Sequence, residues 1–161
     1  MPETFKAYYA EKEGKEIHTE LKDLPMDTID EGNVLIKVAY SSINYKDALA
    51  AKKGAGVVKN YPIIPGIDLA GTVVESETST YKEGDQVIVT SYDLGVSHHG
   101  GLSEYARVKE EWIVPLPKDL TLEEAMIYGT AGYTAALAIQ KLEDNGLKVE
   151  GLPVIVCGGS G

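Results

Sequence analysis

Two groupings along the chain have residue types and spacing that could do chemistry. The first is the glycine cluster Gly158-Gly159-Ser160-Gly161, entered directly from the apolar run Pro153-Val154-Ile155-Val156-Cys157. A buried strand running into glycines lets the backbone approach a pyrophosphate, which then rests on the N-terminus of the next helix. The same four residues also suit a flexible linker, and the run by itself does not choose between the two. The second grouping is polar. Ser41-Ser42-Ile43-Asn44-Tyr45-Lys46-Asp47 is followed by Pro65-Gly66-Ile67-Asp68-Leu69-Ala70-Gly71-Thr72-Val73, and later by Tyr128-Gly129-Thr130-Ala131-Gly132-Tyr133-Thr134-Ala135-Ala136. Asn44 also reads as an N-cap for the short helical run after it. The histidines offer less. His98-His99 lies in a glycine-flanked loop and reads as a solvated surface pair, and His18 falls in a strand run with no obvious partner. No Gly-x-Ser-x-Gly elbow occurs, and no Ser-His-Asp arrangement has motif support.

The elements that must position these residues are mostly strands. Phe5 to Lys12 and Ile17 to Leu24 read as two strands about the turn Glu13-Gly14-Lys15-Glu16. Asn33 to Ser42 alternates, with Val34, Ile36, Val38 and Tyr40 expected on one face. Ile67 to Ser76, Gln86 to Ser91, Leu102 to Val108 and Trp112 to Pro117 complete the series. Glycines mark turns or bulges between them. Short strands so punctuated predict a partly open barrel or sandwich, with one short helix over Asn44 to Ala51. Near Leu120 the pattern changes. Thr121-Leu122-Glu123-Glu124 is a capping box, Thr134 to Leu142 is strongly helical, and Asn145-Gly146 stops it. The apolar run 153–157 then reads as a strand buried on both faces of a parallel sheet.

Bulk properties exclude several function classes. The 161 residues can bury a core, and no apolar run approaches a membrane span. The N-terminus lacks a signal peptide's basic and apolar regions, and a single cysteine, Cys157, allows no internal disulfide. These features predict a cytoplasmic protein. Acidic residues outnumber basic ones 25 to 15, for a net charge of −10, with no cluster of Lys and Arg visible to offset it. Such a surface repels phosphate backbones, so nucleic acid is not an expected partner.

The three polar and glycine-rich motifs, taken together, resemble the medium-chain dehydrogenase/reductase superfamily. Within it they are most similar to the YhdH/YhfP group of quinone oxidoreductase-like proteins, which includes acryloyl-CoA reductases. Asn44-Tyr45-Lys46-Asp47 and Gly66-Ile67-Asp68 are fairly specific to this branch. Gly84-Asp85-Gln86-Val87 and Gly100-Gly101-Leu102-Ser103-Glu104-Tyr105 mark only the superfamily.

The resemblance implies a mainly β fold with some α: a GroES-like partly open barrel over residues 1–120, then the first helix and strand of a Rossmann-type domain over 121–161. Family members are about twice this length, so the chain would stop inside the cofactor loop, with Gly158 and Gly161 as pyrophosphate-loop glycines. Zinc-dependent relatives carry a cysteine where Asn44 stands and a His-Glu pair at Ile67 and Asp68. An amide is a poor zinc ligand and isoleucine is none, so no metal is expected, and an Asn44–Asp68 hydrogen bond should stand in its place. By the same resemblance the cofactor is NADPH, contacted by Tyr45 and Thr130, and the catalytic group is Tyr45, Asn44 and Asp68. The implied reaction is hydride transfer to an activated C=C bond or a quinone, with an enone, a quinone or an acryloyl-CoA type thioester as candidate substrates. The partners implied are a small-molecule substrate and, at full length, a second copy in a homodimer. The fragment alone is expected to be inactive. A different reading keeps the β fold and drops the chemistry, leaving a GroES-like binding or scaffold module.

Overall fold

The computed structural model describes residues 2–148, 150 and 153–157. The chain opens with an antiparallel hairpin of β1 (Thr4–Glu13) and β2 (Glu16–Pro25). A five-stranded antiparallel sheet follows, built from β3 (Val34–Tyr40), β4 (Asp68–Ser76), β5 (Gln86–Thr90), β6 (Tyr105–Val108) and β7 (Ile113–Pro115). Its spatial order is β6-β3-β4-β5-β7, which puts β4 in the middle. The helices are α1 (Tyr45–Ala50) and α2 (Leu122–Asp144), with 3-10 turns at Met26–Thr28 and Glu110–Trp112. The two sheets do not close into a barrel. Backbone bonds join them instead, from Tyr8 N to Leu102 O (2.8 Å) and between Ala10 and Ile63 in both directions (2.8 and 2.9 Å).

Alternation decides what is buried. Val34, Ile36, Leu69, Val73, Val87, Val89, Ala106 and Val108 project into one core, closed below by Trp112 and Ile113. Phe5, Ala7, Tyr9 and Leu24 bring one face of the hairpin onto Ile64. The expected single face of the third strand holds only in part. Register shifts between Leu35 and Ile36, and between Val38 and Tyr40, interrupt the pleat. The second leaves Ala39 unpaired and Tyr40 44% exposed, whereas Leu35 lies on the other face of a strand that is fully buried on both sides from Val34 to Ile36. A one-residue slip reverses which face a side chain takes.

The opposite face of β4 receives α2. Ala70 is small enough to admit Ala125 and Met126, with Ile88, Leu116 and Leu122 packed around them. The predicted capping box starts this helix: Thr121 Oγ1 accepts from Glu124 N (3.1 Å), and Glu124 Oε2 accepts from Thr121 N (2.9 Å). The bonds that its Oε2 accepts from Thr121 N and from the Thr121 hydroxyl (2.8 Å) hold the Glu124 carboxyl below its ordinary value.

The run 153–157 is not a strand. Pro153 to Val156 has no regular structure, and Ile155 is 86% exposed. A buried parallel strand needs neighbours on both edges, and none of the described residues pairs with it. The glycine cluster that follows, with Gly158 and Gly161, lies outside the described residues.

Gly71 tests how tightly β3 and β4 approach. A Cβ there would stand 2.2 Å from the Lys37 carbonyl oxygen and 2.8 Å from an Ile36 methyl. Backbone cannot move aside without parting the strands. Gly71→Ala is therefore expected to lower stability by about 2–3 kcal/mol, read as a fall in the urea midpoint at unchanged m-value.

Candidate functional site

The site is built around two buried carboxylates with no buried cation beside them. Asp47 lies in the first turn of α1 and is 4% exposed; Asp68 opens β4 and is fully buried. Asp47 Oδ1 accepts from the amides of Gly66 (3.1 Å) and Ile67 (3.0 Å), and Oδ2 accepts from Asn44 N (2.7 Å). This carboxylate fastens the start of α1 to the start of β4. Burial pushes its pKa up from 3.8; the three amide donors pull it back, and the neighbouring Asp68 charge raises it further.

Asp68 joins three elements. Its Oδ2 accepts from the Asn44 side-chain amide (2.9 Å) and from Thr130 N (2.8 Å), and its Oδ1 accepts from the Thr130 hydroxyl (2.5 Å). The amide–carboxylate bond expected between Asn44 and Asp68 is thus present. Asn44 also stands at the N-cap of α1, as its helix-starting character suggests. Thr130 belongs with this pair, although it lies more than sixty residues further along the chain.

What brings Thr130 there is a break in α2. Gly129 has φ 50° and ψ −159°, so the helix is two helices meeting at a kink. A Cβ at Gly129 would stand 2.4 Å from Ser42 Oγ and 2.8 Å from Asp68 Oδ2. The position needs glycine both for its conformation and for the space. Ser42 Oγ donates to the Met126 carbonyl (2.5 Å) on the other side of the break. The helix resumes at Thr130 with its free amide aimed at Asp68, so the carboxylate caps it from outside and meets the positive end of its dipole.

Tyr45 is the exposed member. It is the first residue of α1 and is 75% exposed, next to Asn44. Beyond Gly129 an open groove of about 560 Å³ runs between α2 and the β5–β7 face, lined by Tyr92, Trp112, Tyr128 and Tyr133 among others. Ile127, Tyr128, Tyr133 and Ile139 are all more than half exposed along α2.

The histidine pair is not a solvated surface feature. The His98 and His99 side chains are 11% and 14% exposed beside Asp30. His98 places Nδ1 and Nε2 each 3.0 Å from a carbonyl oxygen, of His99 and Glu31, and meets the Trp112 ring edge-on. His99 Nδ1 accepts from Ile64 N (3.1 Å), and burial lowers its pKa. Glycines on either side suggested an open loop, but this one folds back so that two carbonyls meet the His98 ring, the Ile64 amide meets the His99 ring, and Asp30 accepts from the His99 backbone amide. Among the described residues no group of three or more His, Cys, Asp or Glu is arranged to hold a metal ion. No described helix is long and apolar enough to cross a membrane.

Residues 30–118, which contain α1, Asp47 and Asp68, match the alcohol dehydrogenase GroES-like domain. The chain belongs to that family. It is 53% identical over 161 residues to YhfP of Bacillus subtilis, covering 100% of this chain and 49% of that one. It is 44% identical over 151 residues to the acrylyl-CoA reductase AcuI of Ruegeria pomeroyi, covering 94% of this chain and 46% of that protein. The crystal structure of B. subtilis YhfP with NAD bound superimposes with a TM-score of 0.89 at 55% identity, over 91% of this chain and 45% of that one. Escherichia coli K-12 YhdH with bound NADPH gives 0.85 at 43%, over 88% and 44%. The chain spans about half the length of these relatives.

Two measurements test the carboxylate pair. Asp68→Asn keeps the shape but sets an NH2 group against donors, so it is expected to cost about 2–4 kcal/mol in urea unfolding; a loss under about 0.5 kcal/mol contradicts the bonding described. For Asp47, carbonyl-carbon NMR titration should find a midpoint above 3.8. The folded state then holds this proton more tightly than the unfolded chain does. The group's contribution to stability therefore falls as pH rises from 3.8 through the folded midpoint, and is level above it.

Proposed function

We propose that this chain, residues 1–120 as a GroES-like catalytic domain and 121–161 as the start of a nucleotide-binding domain, is half of a zinc-independent, NADPH-dependent reductase of an activated C=C bond or a quinone. The observation that carries the reading is the Asn44–Asp68–Thr130 lattice beside an exposed Tyr45. An amide–carboxylate bond occupies the positions where zinc-dependent members place ligands, and Ile67 between them offers no donor atom at all. The relatives' names, acrylyl-CoA reductase among them, and their bound NADP-type cofactors support the same class. The exposed apolar side chains of α2 support a cleft against a second domain, since a lone soluble domain rarely leaves such a face wet.

The residues fit a nicotinamide cofactor. Tyr45 offers an exposed ring and hydroxyl, and Thr130 Oγ1 gives its hydrogen to Asp68 but keeps lone pairs able to accept from a carboxamide. Gly158 and Gly161 would complete the pyrophosphate loop. When bound, the reduced cofactor supplies the hydride. The chain must then stabilise charge developing on the substrate's carbonyl oxygen and provide a proton for the α-carbon. In this reading the Tyr45 hydroxyl polarises that oxygen or relays the proton from solvent to the α-carbon. Asp68 is fully buried and acts through Asn44 and Thr130, holding the start of α1 and the resumed α2 in fixed relation.

Tyr45→Phe keeps the ring and removes only the hydroxyl. Joined to its nucleotide-binding domain, the variant is expected to lose roughly a hundredfold in single-turnover hydride transfer to an enone at saturating NADPH. A rate within about threefold of the parent reduces Tyr45 to cofactor packing. Elemental analysis after dialysis should find no stoichiometric zinc, and chelators should leave the rate unchanged; retained zinc contradicts the metal-free reading.

A further inference from the structure

A second cleft, of about 390 Å³, lies between the tip of the β1–β2 hairpin and the loop that follows α1. Lys12, Lys15, Lys52 and Lys53 line it, four of the 15 basic residues in a chain of net charge −10. Lys53 pairs with Glu16 at the rim. Among the described residues, Lys12, Lys15 and Lys52 make no ion pair, although acidic side chains outnumber basic ones throughout the chain. The floor is apolar, with Ile17, Val58 and the Tyr61 ring packed together. Tyr61 Oη donates to the Ala50 carbonyl (2.8 Å), so the last turn of α1 does not aim that bare acceptor at the cleft. A cationic rim over an apolar, aromatic floor suits a ligand that combines a flat ring with phosphates.

Its position supplies the second half of the argument. Tyr45 begins α1, and the lysine loop starts two residues beyond the helix's end at Ala50. Six helical residues separate the two ends by about 9 Å. A pantetheine arm spans that distance with room to spare. We infer that this cleft binds the phosphorylated nucleotide end of a coenzyme-A thioester whose acyl group is presented near Tyr45. The inference rests on the reductase reading and narrows it, because a neutral quinone or small enone has nothing for the lysines to bind.

The test uses this chain and titration calorimetry with coenzyme A, dephospho-coenzyme A, pantetheine and NADPH. Coenzyme A is expected to bind, the dephospho form more weakly, pantetheine not measurably, and added salt should weaken the complex. The combined variant Lys12→Gln, Lys15→Gln and Lys52→Gln should weaken coenzyme A by roughly tenfold or more. These side chains are exposed, so circular dichroism should match the parent. Equal affinity in parent and variant, or no advantage of coenzyme A over pantetheine, overturns the inference. So does NADPH that displaces coenzyme A with the same lysine dependence, which assigns the cleft to the other nucleotide. In the assembled two-domain protein, the ratio of kcat/KM for acryloyl-CoA to that for a small enone should fall roughly tenfold in the variant. If neither compound is reduced while coenzyme A binding keeps its lysine dependence, the reductase reading falls and the cleft assignment stands.

Discussion

The structure depends on a buried carboxylate that has no counter-cation. Removing an ion of that size from water costs several kcal/mol even after relaxation. Asp68 meets that cost with three donors, two from Thr130 and one from Asn44. Hydrogen bonds to a charged group contribute about 1.5–3 kcal/mol each, so three of them are of the size needed to offset the burial. The balance is close enough that the geometry of all three elements is fixed by it. β4 supplies the charge from the middle of the sheet, α1 supplies the amide, and the second part of α2 supplies the remaining donors.

That requirement explains features that otherwise look unrelated. An unbroken α2 would have its Thr130 amide spent within the helix, so the break at Gly129 is what frees this donor for Asp68. The break needs a residue without a Cβ because Ser42 and Asp68 press against it. Asp47 does for the entry to β4 what Asp68 does for its first residue, with three backbone amides in place of two side-chain donors and one amide. The outcome for function is a rigid frame with one mobile-looking partner only in the chemical sense: Tyr45 is the group left facing solvent, on a helix whose start is fixed from two sides.

Much of this was legible in the residues. Runs rich in β-formers and bounded by turn residues located the seven described strands, and the Thr121–Glu124 box located the start of α2. The Asn44–Asp68 bond was implied by the resemblance to zinc-dependent relatives, whose ligand positions these two residues match. Other features were not legible for local reasons. The register shift past Val38 that exposes Tyr40 depends on the partner strand, which the run itself does not contain. The His98-His99 pair looked solvated because its glycine neighbours permit an open loop, and Asp30, which closes it, is nearly seventy residues away. Gly129 reads as one glycine among several in a helical stretch, and only the approach of Ser42 and Asp68 distinguishes it.

The sequence by itself determined the identity and order of the elements, because hydrophobic period, caps and turn residues act over a few neighbours and are written in them. It also supplied the groups the site is made from, the Asn44 amide, the Asp68 carboxylate and the Thr130 hydroxyl. Tertiary structure alone decided which charges meet. The sequence offers Lys52-Lys53 as an unremarkable pair and Lys12 and Lys15 as isolated members of an acidic chain. The hairpin's packing through Ala10 and Ile63 brings them to one cleft, against a net charge of −10. It is likewise the sheet order, with β4 central, that sets Asp68 between α1 and α2. Electrostatic and hydrogen-bond partners are chosen by distance in space, and that distance is fixed only when the whole core has packed.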